Sequence, residues 1–355
     1  MRALFVVPHR LGRNPGQRFR FEQYLPHLRQ AGVDCVVANL LDERDDRIFY
    51  SPGRYAAKAA LFARTFWRRM GHARSAKKFD VVFVYREAFM TGTTVFEKIL
   101  KNSGAKFIYD FDDAIWIPDV SEANRRLAFL KRPEKTNEII ALSDLVLAGN
   151  DYLRGHALKF NPNAVVMPTT VDTDEYRPRP RTPNEKIVVG WSGSPTTVPH
   201  FEQAQAVWTA LADKYRDKIA FRLIGDGRYR NEALNLQGLE WTPERERETI
   251  NSFDVGVMPL PDNPWTRGKC GLKGLTYMAF EKPTVMQNVG VNPQIVSDGE
   301  NGFLADGVDE WVEKISALVE SEELRLKLGK AGRETVLRRY SVEAWKERYV
   351  QFFLP

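Results

Sequence analysis

The sequence predicts an α/β protein made of two Rossmann-like, doubly wound parallel-sheet domains, and three observations lead to this fold class. Short apolar runs alternate with helical stretches through the first half of the chain. A segment rich in proline and arginine, residues 175–184, interrupts the alternation, and the same alternation then restarts. Because continuous apolar strands are buried on both faces, each half is expected to form a parallel sheet covered by helices.

The composition agrees with two cytosolic domains. The chain has 355 residues, against roughly 150 for one ordinary domain, and 43% of them are hydrophobic. No apolar run approaches the roughly 18 residues of a membrane span. The N-terminal apolar stretch is broken too early by Pro8 for a signal peptide, and two cysteines are too few for a disulfide framework. The formal charge of +6 favours anionic partners.

The first domain is expected over residues 1–174. Short apolar runs predict strands at residues 4–7, 35–38, 81–84, 107–109 and 145–147. A flexible loop rich in glycine and arginine is expected at residues 8–20. A helix is expected to follow at about residues 21–31, since Gly32 stands where a C-terminal cap belongs.

The second domain is expected over residues 185–340. Residues 175–184 are expected to be the linker, because their three prolines and three arginines do not favour helix or strand. Strands are predicted at residues 187–189, 221–224, 255–258 and 284–286. Ligands of doubly wound sheets bind outside the carboxyl ends of the strands, so the two domains are expected to face each other across a cleft.

A glycine-containing loop directly follows the first strand of the second domain. Glycines between a strand and a helix let backbone amides approach an anion, and the helix N-terminus favours negative charge. We therefore predict diphosphate contacts from Gly190, Ser192, Gly193 and Ser194. The spacing is not that of the dinucleotide fingerprint, and a tight strand-to-helix turn explains the same pattern equally well.

A stronger phosphate signal lies at residues 259–283. A polar loop follows a predicted strand, and a helix is expected to begin near Cys270 without an acidic residue in its first turn. Helix-terminal amides and nearby cations suit a diphosphate, whereas the alternative is a solvated basic face. The predicted contacts are Arg267, Lys269, Cys270, Gly271, Leu272 and Lys273.

This helix region resembles the donor site of the retaining glycosyltransferases of family four, which have the GT-B fold. Three further segments resemble the same family in order and spacing: residues 142–148, 168–174 and 290–304. The resemblance implies an N-terminal acceptor domain, a C-terminal nucleotide-sugar domain and a last helix, within residues 341–355, that crosses back to the first domain. Two glutamates usual in the family are replaced here by Gly268 and Thr276.

The resemblance also implies roles for particular residues. Nucleoside contacts are assigned to Asp226, Trp241 and Thr276, and Gly16 is placed near the donor diphosphate. Lys269 is assigned a catalytic role, because it would stabilise the charge that develops on the leaving diphosphate.

Polar residues after three strands of the first domain are the acceptor-site candidates. Arg18 and Arg20 lie in the loop after the first strand, and Arg86 and Glu87 follow the third. Asp112 and Asp113 follow the fourth, where a carboxylate would orient or deprotonate an acceptor hydroxyl. Helix capping explains one of these carboxylates equally well, and an ion pair at a helix start explains Arg86 with Glu87.

Residues 54–78 contain eight lysines and arginines and no acidic residue. Aromatic and apolar residues recur at helical spacing among them, at Tyr55, Ala59, Phe62, Phe66 and Met70. Such a helix favours an anionic membrane surface, with a peripheral position on the inner face of the membrane. Packing of the apolar stripe on the domain is an equal alternative, and no nucleic-acid-binding pattern accompanies the charge.

The sequence therefore predicts a retaining glycosyltransferase that moves a sugar from a nucleoside-diphosphate sugar to a hydroxyl of a glycan or lipid-linked acceptor, in the synthesis of a bacterial cell-surface polysaccharide or glycolipid. No metal and no other cofactor is expected. Two alternatives stay open. One is a metal-dependent sugar transferase that uses Asp110 and Asp112, and the other is a non-catalytic protein that binds sugar nucleotides or acts as a membrane scaffold. The base and sugar of the donor, the acceptor and the oligomeric state are not predicted.

Overall fold

The computed structural model describes residues 1–118 and 132–354 and contains two parallel-sheet α/β domains, which confirms the predicted fold class. Contacts divide the chain into a first unit, Met1–Thr169 with Lys346–Pro355, and a second unit, Thr170–Trp345. The first unit ends a few residues before the expected boundary at residue 174, and the segment expected as a linker belongs to the second unit.

The first unit has a six-stranded parallel sheet in the order β2-β1-β3-β4-β5-β6. Its strands are β1 (Arg2–Val7), β2 (Asp34–Asn39), β3 (Val81–Tyr85), β4 (Lys106–Phe111), β5 (Leu145–Ala148) and β6 (Ala164–Val166). Its helices are α1 (Pro15–Arg20), α2 (Leu25–Gln30), α3 (Glu43–Phe49), α4 (Tyr55–Ser75), α5 (Val95–Lys101), α6 (Lys135–Leu142) and α7 (Asp151–Ala157). The first five strands contain the predicted apolar runs, whereas β6 was not predicted, since its three residues are too few for a periodic signal.

The second unit has a five-stranded parallel sheet in the order β13-β12-β11-β7-β8. Its strands, with a separate antiparallel pair β9 and β10, are β7 (Ile187–Ser192), β8 (Ile219–Ile224), β9 (Arg230–Asn231), β10 (Leu236–Gln237), β11 (Val255–Met258), β12 (Thr284–Gln287) and β13 (Phe303–Ala305). The remaining helices are α8 (Val198–Glu202), α9 (Gln205–Tyr215), α10 (Pro243–Asn251), α11 (Pro264–Arg267), α12 (Leu272–Ala279), α13 (Asn292–Ile295), α14 (Gly307–Glu320), α15 (Glu322–Arg339) and α16 (Val342–Gln351).

Aromatic rings fill the core of the first unit. Phe5, at the centre of β1, lies 5.4 Å from Phe21, 5.1 Å from Phe83 and 5.5 Å from Phe353 between ring centroids. The C-terminal residues therefore supply part of this core. Offset ring pairs at such distances add roughly 0.5–1.5 kcal/mol each to the free energy of burial.

The loop expected at residues 8–20 is partly helical. Asn14 accepts a hydrogen bond from the amide of Gln17 and caps α1, in which Pro15 is the first residue. Proline fits this position because its missing amide hydrogen would have no partner within the helix. The dipeptide Asn14-Pro15 is therefore the sequence signal for the start of this helix, and the glycine and arginine content of the segment masked it.

Arg20 is the last residue of α1, and its side chain is buried within the first unit. Its Nε and Nη2 atoms donate to the two carboxylate oxygens of Asp110 at 3.0 and 2.7 Å, and Nη1 donates to the carbonyl of Met167. Both side chains are fully enclosed. The prediction that Arg20 contacts an acceptor is therefore wrong, because burial of a bidentate pair leaves it no exposed donor.

Residues 175–184 form neither helix nor strand, and hydrogen bonds hold them against the second unit. The amide of Arg179 donates to Asn251 at 3.1 Å, and Arg181 pairs with Asp254 at 2.5 Å. Asn184 also donates to Asp254 at 2.8 Å. Asp254 keeps a lowered pKa despite its burial, because Arg181, Asn184 and the amide of Val188 all donate to it.

Helix α4 contains most of the basic segment 54–78. Two of the predicted apolar residues pack on their own unit: Phe66 contacts Phe89 and Phe96 at 5.9 and 5.0 Å between centroids, and Phe62 also packs on Phe89. Arg69 is buried and donates to the carbonyls of Val7 and Ala38 at 2.8 Å. Part of the stripe and of the charge is thus structural. Within residues 1–118 and 132–354, no helix has the length and apolarity to cross a membrane.

Asp110→Ala is predicted to reduce the free energy of unfolding by about 3–5 kcal/mol, because it leaves the Arg20 charge buried without its partner. Asp34→Ala is the matched control. It removes the carboxylate of an exposed pair with Arg2, 3.1 Å apart, and is expected to cost about 0–1 kcal/mol. Urea unfolding of both variants measures the difference, and equal losses would contradict the structural role of Asp110.

Candidate active site

The first candidate cluster lies at the switch point of the sheet in the first unit. Strand β1 has β2 on one side and β3 on the other, so the connections leave β1 in opposite directions. Loops after the two adjacent strands diverge at such a point and leave room for a ligand at their carboxyl ends. Residues that directly follow β1, β3 and β4 therefore meet at this edge.

Arg86 organises the cluster. Its Nε donates to Asp112 at 2.8 Å, and Nη2 lies 2.5 Å from Asp113. Tyr85 donates its hydroxyl to the same Asp112 oxygen at 2.9 Å. Burial opposes the charge of Arg86, but the two carboxylates outweigh it and raise the Arg86 pKa well above its usual value. The sequence-predicted residues Arg86, Asp112 and Asp113 are thus brought together.

Arg86 adopts a left-handed backbone conformation, with φ of 59°. This conformation is uncommon for a residue other than glycine, and such residues concentrate at functional sites. Side-chain exposures of 28% for Arg86 and of 12–13% for the two aspartates leave the cluster partly accessible. The arrangement presents a fixed cation and carboxylate oxygens, which together can bind and orient a polyhydroxylated molecule.

Gly16 lies against this cluster. A Cβ atom at this position would lie 2.0 Å from the Tyr85 hydroxyl and 3.0 Å from Asp112. Glycine is therefore required for the backbone of α1 to pass over Tyr85. Gly16 remains predicted as a donor contact, but its observed neighbours are the acceptor-site candidates.

The other acceptor candidates in the first unit are Glu87 and Arg18. Glu87 forms an ion pair with Lys135, 2.5 Å between Nζ and Oε2, so the expected partner Arg86 is not its partner. Arg18 is half-buried, and its guanidinium lies 5.3 Å from the Phe19 ring centroid. Asp110, a metal ligand in the alternative prediction, offers both oxygens to Arg20 instead.

The second candidate cluster lies at the switch point of the sheet in the second unit, between β7 and β11. The loop after β11 contains α11, which Asn263 caps, and α12 begins one turn later. Gly271 is the N-terminal cap of α12 and has a φ of 71°. A Cβ atom there would lie 2.2 Å from Ile295, so both conformation and packing require glycine.

The N-terminus of α12 has the character of an anion site. Its first turn contains no acidic residue, and no side chain caps its amides in the described structure. Arg267 pairs with Asp262 at 2.7 Å, which fixes its guanidinium beside the loop. Lys269 and Lys273 lie over aromatic rings, 5.1 Å from Trp265 and 5.4 Å from Trp191. The helix N-terminus, Lys269, Lys273 and the Arg267–Asp262 pair therefore occur in one segment of the chain.

Tyr277, which the sequence analysis did not select, joins α12 to the end of β7. Its buried hydroxyl accepts a hydrogen bond from the amide of Ser192 at 2.7 Å and lies 3.1 Å from the Ser192 hydroxyl. The bond fixes the carboxyl end of β7 beside the helix that begins at Leu272. Apolar periodicity in α12 predicts that Tyr277 is buried, but its partner on another element is visible only in the fold.

The glycine loop differs from its prediction. Gly190 and Ser192 belong to β7, and a Cβ atom on Gly190 would lie 2.1 Å from the Phe253 ring, so Gly190 serves packing. Gly193 follows the strand and donates its amide to Ile224 at 2.9 Å. Its carbonyl would lie 2.3 Å from a Cβ on Gly225, so close contact between the loops after β7 and β8 requires glycine. Ser194 bonds to Thr197 at the start of the next helical turn, 2.9 Å from its amide to Oγ1.

The residues predicted for the nucleoside occupy different settings. Thr276 is buried and donates its hydroxyl to the carbonyl of Lys273 at 2.8 Å, so its own helix uses the hydroxyl hydrogen. Asp226 lies in the loop after β8 and accepts from the amide of Arg228 at 2.9 Å. Trp241 lies between β10 and α10 and is half-buried. Cys270, which was predicted for the diphosphate, is buried, and its thiol lies 3.6 Å from the Gly268 carbonyl.

Gly16→Ala is predicted to reduce the free energy of unfolding by about 1–3 kcal/mol, because its methyl group overpacks the site against Tyr85 and Asp112. The matched control is Gly71→Ala, on an exposed part of α4 where a Cβ meets nothing within 4 Å. That change is expected to stabilise by up to about 1 kcal/mol through helix propensity. Thermal unfolding measures both, and a neutral Gly16→Ala would show that Tyr85 has room to move.

Comparisons with known proteins agree with this architecture. Residues 188–321 match the family model described as glycosyl transferases group 1. An uncharacterized glycosyltransferase of Methanocaldococcus jannaschii is 32% identical over 135 residues, which are 35% of this chain and 38% of that protein. The poly(ribitol-phosphate) alpha-N-acetylglucosaminyltransferase of Staphylococcus aureus is 27% identical over 141 residues, 39% of this chain and 27% of that protein. The chain thus spans about a third of the length of these curated relatives.

Solved structures are similar over nearly the whole chain. A glycosyltransferase from Rickettsia africae has a TM-score of 0.70 at 14% identity, over 99% of this chain and 97% of that chain. The Anabaena protein HepE, solved with UDP and glucose, has a TM-score of 0.68 at 15% identity, over 99% of each chain. Such identities show the fold. Residues 188–321 are thus similar to group 1 glycosyltransferases, and the chain as a whole shares the fold of these solved structures.

Proposed function

We propose that this chain is a retaining glycosyltransferase that moves a sugar from a nucleoside-diphosphate sugar to a hydroxyl of a glycan or lipid-linked acceptor. The observation that supports this most is the N-terminus of α12, which lies at the switch point of a sheet. Its first turn contains no acidic residue, and Gly271 precedes it. Arg267, Lys269 and Lys273 lie in the same segment. The family match covers this region, since residues 188–321 include it.

The donor diphosphate binds at the N-terminus of α12. Amides after Gly271 donate to phosphate oxygens, and Lys269 and Lys273 supply positive charge beside them. When the sugar–phosphate bond breaks, negative charge grows on the leaving diphosphate, and these groups stabilise it. The positive charge already present means that the proposal requires no metal ion.

Uridine nucleotides are the first donors to test. HepE was solved with UDP-glucose, and the Staphylococcus aureus protein TarM was solved with UDP. Asp226 and Trp241 are the nucleoside contacts that remain in this proposal, because the Thr276 hydroxyl is engaged by its own helix. The resemblance to retaining enzymes favours transfer without inversion at the anomeric carbon, with no protein nucleophile.

The acceptor binds the first unit at Arg86, Asp112 and Asp113. Carboxylate oxygens accept hydrogen bonds from sugar hydroxyls, and the Arg86 guanidinium donates to ring or hydroxyl oxygens. A growing cell-surface polysaccharide or glycolipid has the hydroxyl density that this polar cluster suits. The two aspartates orient the attacking hydroxyl, which raises the rate by holding it in a reactive geometry.

The function is tested by assaying nucleoside-diphosphate release with UDP-, GDP- and ADP-sugars, together with thermal stability in the presence of each donor. A donor that binds only the folded state must raise the unfolding temperature. Transfer is expected to persist with excess EDTA. Complete absence of donor binding and of transfer with every sugar nucleotide would refute the proposal.

Lys269→Ala is predicted to weaken donor binding by about 2 kcal/mol, the typical value of a charge-assisted hydrogen bond. Binding of the donor is measured by calorimetry. Lys327→Ala, an exposed lysine on α15, is the matched control and is expected to bind as the unsubstituted chain does. Unchanged affinity in Lys269→Ala, or a loss shared by both variants, would remove Lys269 from the donor site.

We also propose that an anionic membrane surface binds α4. Trp67 is 66% exposed, the highest fraction among the large hydrophobic residues described, and Arg74, Lys77 and Lys78 are exposed further along the same segment. An exposed indole beside cations suits the lipid headgroup region. Such a surface would hold the enzyme near a lipid-linked acceptor.

Trp67→Ser is predicted to reduce co-sedimentation with phosphatidylglycerol vesicles several-fold, while neutral phosphatidylcholine vesicles bind neither form. Leu326→Ser, which removes a 56% exposed apolar side chain from the second unit, is the control and is expected to bind normally. Attraction between cations and anionic lipid is also expected to weaken at high salt. Salt-insensitive binding, or none by the unsubstituted chain, would contradict the membrane surface.

A further inference from the structure

A second polar group lies at the carboxyl edge of the sheet in the first unit, beside the Arg86 cluster. His9 is the second residue after β1, and its side chain is only 11% exposed. Asp46 and Tyr50, from α3 and its C-terminal cap, lie on either side of the imidazole. The proposed function assigns no role to these three residues.

The imidazole of His9 lies between the two partners. Its Nε2 is 3.3 Å from the Tyr50 hydroxyl, and its Nδ1 is 3.5 Å from Oδ1 of Asp46. The His9 main chain is fixed by Gln17, whose side chain accepts from the His9 amide at 2.9 Å and donates to its carbonyl at 3.0 Å. A phenol, an imidazole and a carboxylate thus lie in sequence, with distances that are ordinary for a catalytic chain before substrate binds.

The two carboxylate oxygens of Asp46 face different partners. Oδ2 accepts hydrogen bonds from Arg10 and from Arg13, the latter at 3.2 Å. Oδ1 and the facing Nδ1 of His9 are buried and have no closer hydrogen-bond partner among the residues described. Burial opposes the charge of Asp46, but His9 and the two arginines lower its pKa, so the carboxylate stays ionised behind the imidazole. Holding the loop with the arginines alone would not require Oδ1 to face His9.

Tyr50 is held in one orientation at the surface. Its ring is stacked on His9, with 6.1 Å between centroids, and the Arg13 guanidinium lies 5.4 Å from the ring centroid on another side. The residue is 43% exposed. Burial of the phenol raises the Tyr50 pKa. The connection to the Arg86 cluster is through α1: Gln17, which fixes His9, directly follows Gly16, whose backbone lies against Tyr85 and Asp112.

Hydrogen-bond donors already engage the two carboxylates of the Arg86 cluster. Arg86 contacts both Asp112 and Asp113, and Tyr85 donates to Asp112 as well. Carboxylates engaged in this way serve to orient a hydroxyl. A neutral imidazole, by contrast, has one lone pair available for a proton and is the side chain most often used for that purpose.

We propose that Tyr50, His9 and Asp46 form a proton relay for the acceptor hydroxyl, an inference that rests on the proposed glycosyl transfer. As the acceptor oxygen bonds to the anomeric carbon, its proton passes to the Tyr50 oxygen. The phenol's own proton passes to Nε2 of His9, and the imidazolium that forms is stabilised by Asp46. The sugar–phosphate bond breaks with its electron pair on the nucleoside diphosphate, and His9 later returns the proton to water. Tyr50 is the catalytic residue, and His9 and Asp46 are positioning residues that act through it.

The first test is Tyr50→Phe, which removes only the hydroxyl and keeps the ring against His9 and Arg13. The expected result is a fall in kcat of about 100-fold or more, the usual size of a general-base contribution, with the KM for the donor and the unfolding temperature unchanged. Tyr152→Phe, at a 38% exposed tyrosine on α7, is the matched control and is expected to keep full activity.

The second test is His9→Ala assayed with and without added imidazole. Partial recovery of kcat by imidazole is expected, because the free base can occupy the space of the missing ring, and a role confined to holding the loop would show no such recovery. Transfer by Tyr50→Phe at the rate of the unsubstituted chain would overturn the relay alone. Failure of the unsubstituted chain to transfer any sugar would overturn the relay together with the proposed function.

Discussion

The buried pair of Arg20 and Asp110 is the constraint on which the first unit depends. It joins the end of α1 to the end of β4, and Arg20 also binds the carbonyl of Met167 after β6. Two charges removed from water are tolerated only with well-formed partners on both sides. Their pairing therefore sets where Gly16 passes over Tyr85 and where Asp112, two residues beyond Asp110, meets Arg86.

The second unit reaches a similar result with a neutral bond. Tyr277 ties α12 to the end of β7, so that the uncapped N-terminus of the helix stays beside the loop that begins at Gly193. In both units the residues assigned to binding follow adjacent strands at a switch point of the sheet. Buried residues hold them in place: Arg20 and Asp110 in the first unit, and Tyr277 in the second.

The structure brings predicted site residues together where those residues are close in the sequence. Lys269, Lys273 and Gly271 are close in the sequence, and their meeting at a helix N-terminus follows from helix geometry alone. The prediction was wrong for Arg20, whose hydrogen-bond partner is distant in the sequence. Arg20 has the sequence context of an exposed loop arginine, but it is buried against Asp110, which lies 90 positions later. Gly190 was expected in a loop because the sequence does not show that Phe253 occupies the space beside it.

The order of apolar runs by itself determined two parallel α/β sheets, with five of the six strands in the first and four of the five in the second, because burial on both faces imposes a continuous apolar pattern. Only the tertiary structure decided that residues 175–184 attach to Asn251 and Asp254, and that His9 faces both Tyr50 and Asp46. These outcomes depend on contacts between residues far apart in the sequence. His9 and Tyr50 are 41 positions apart, and Arg179 and Asn251 are 72 positions apart. Neither is encoded in a local pattern, since local patterns report periodicity and not partners.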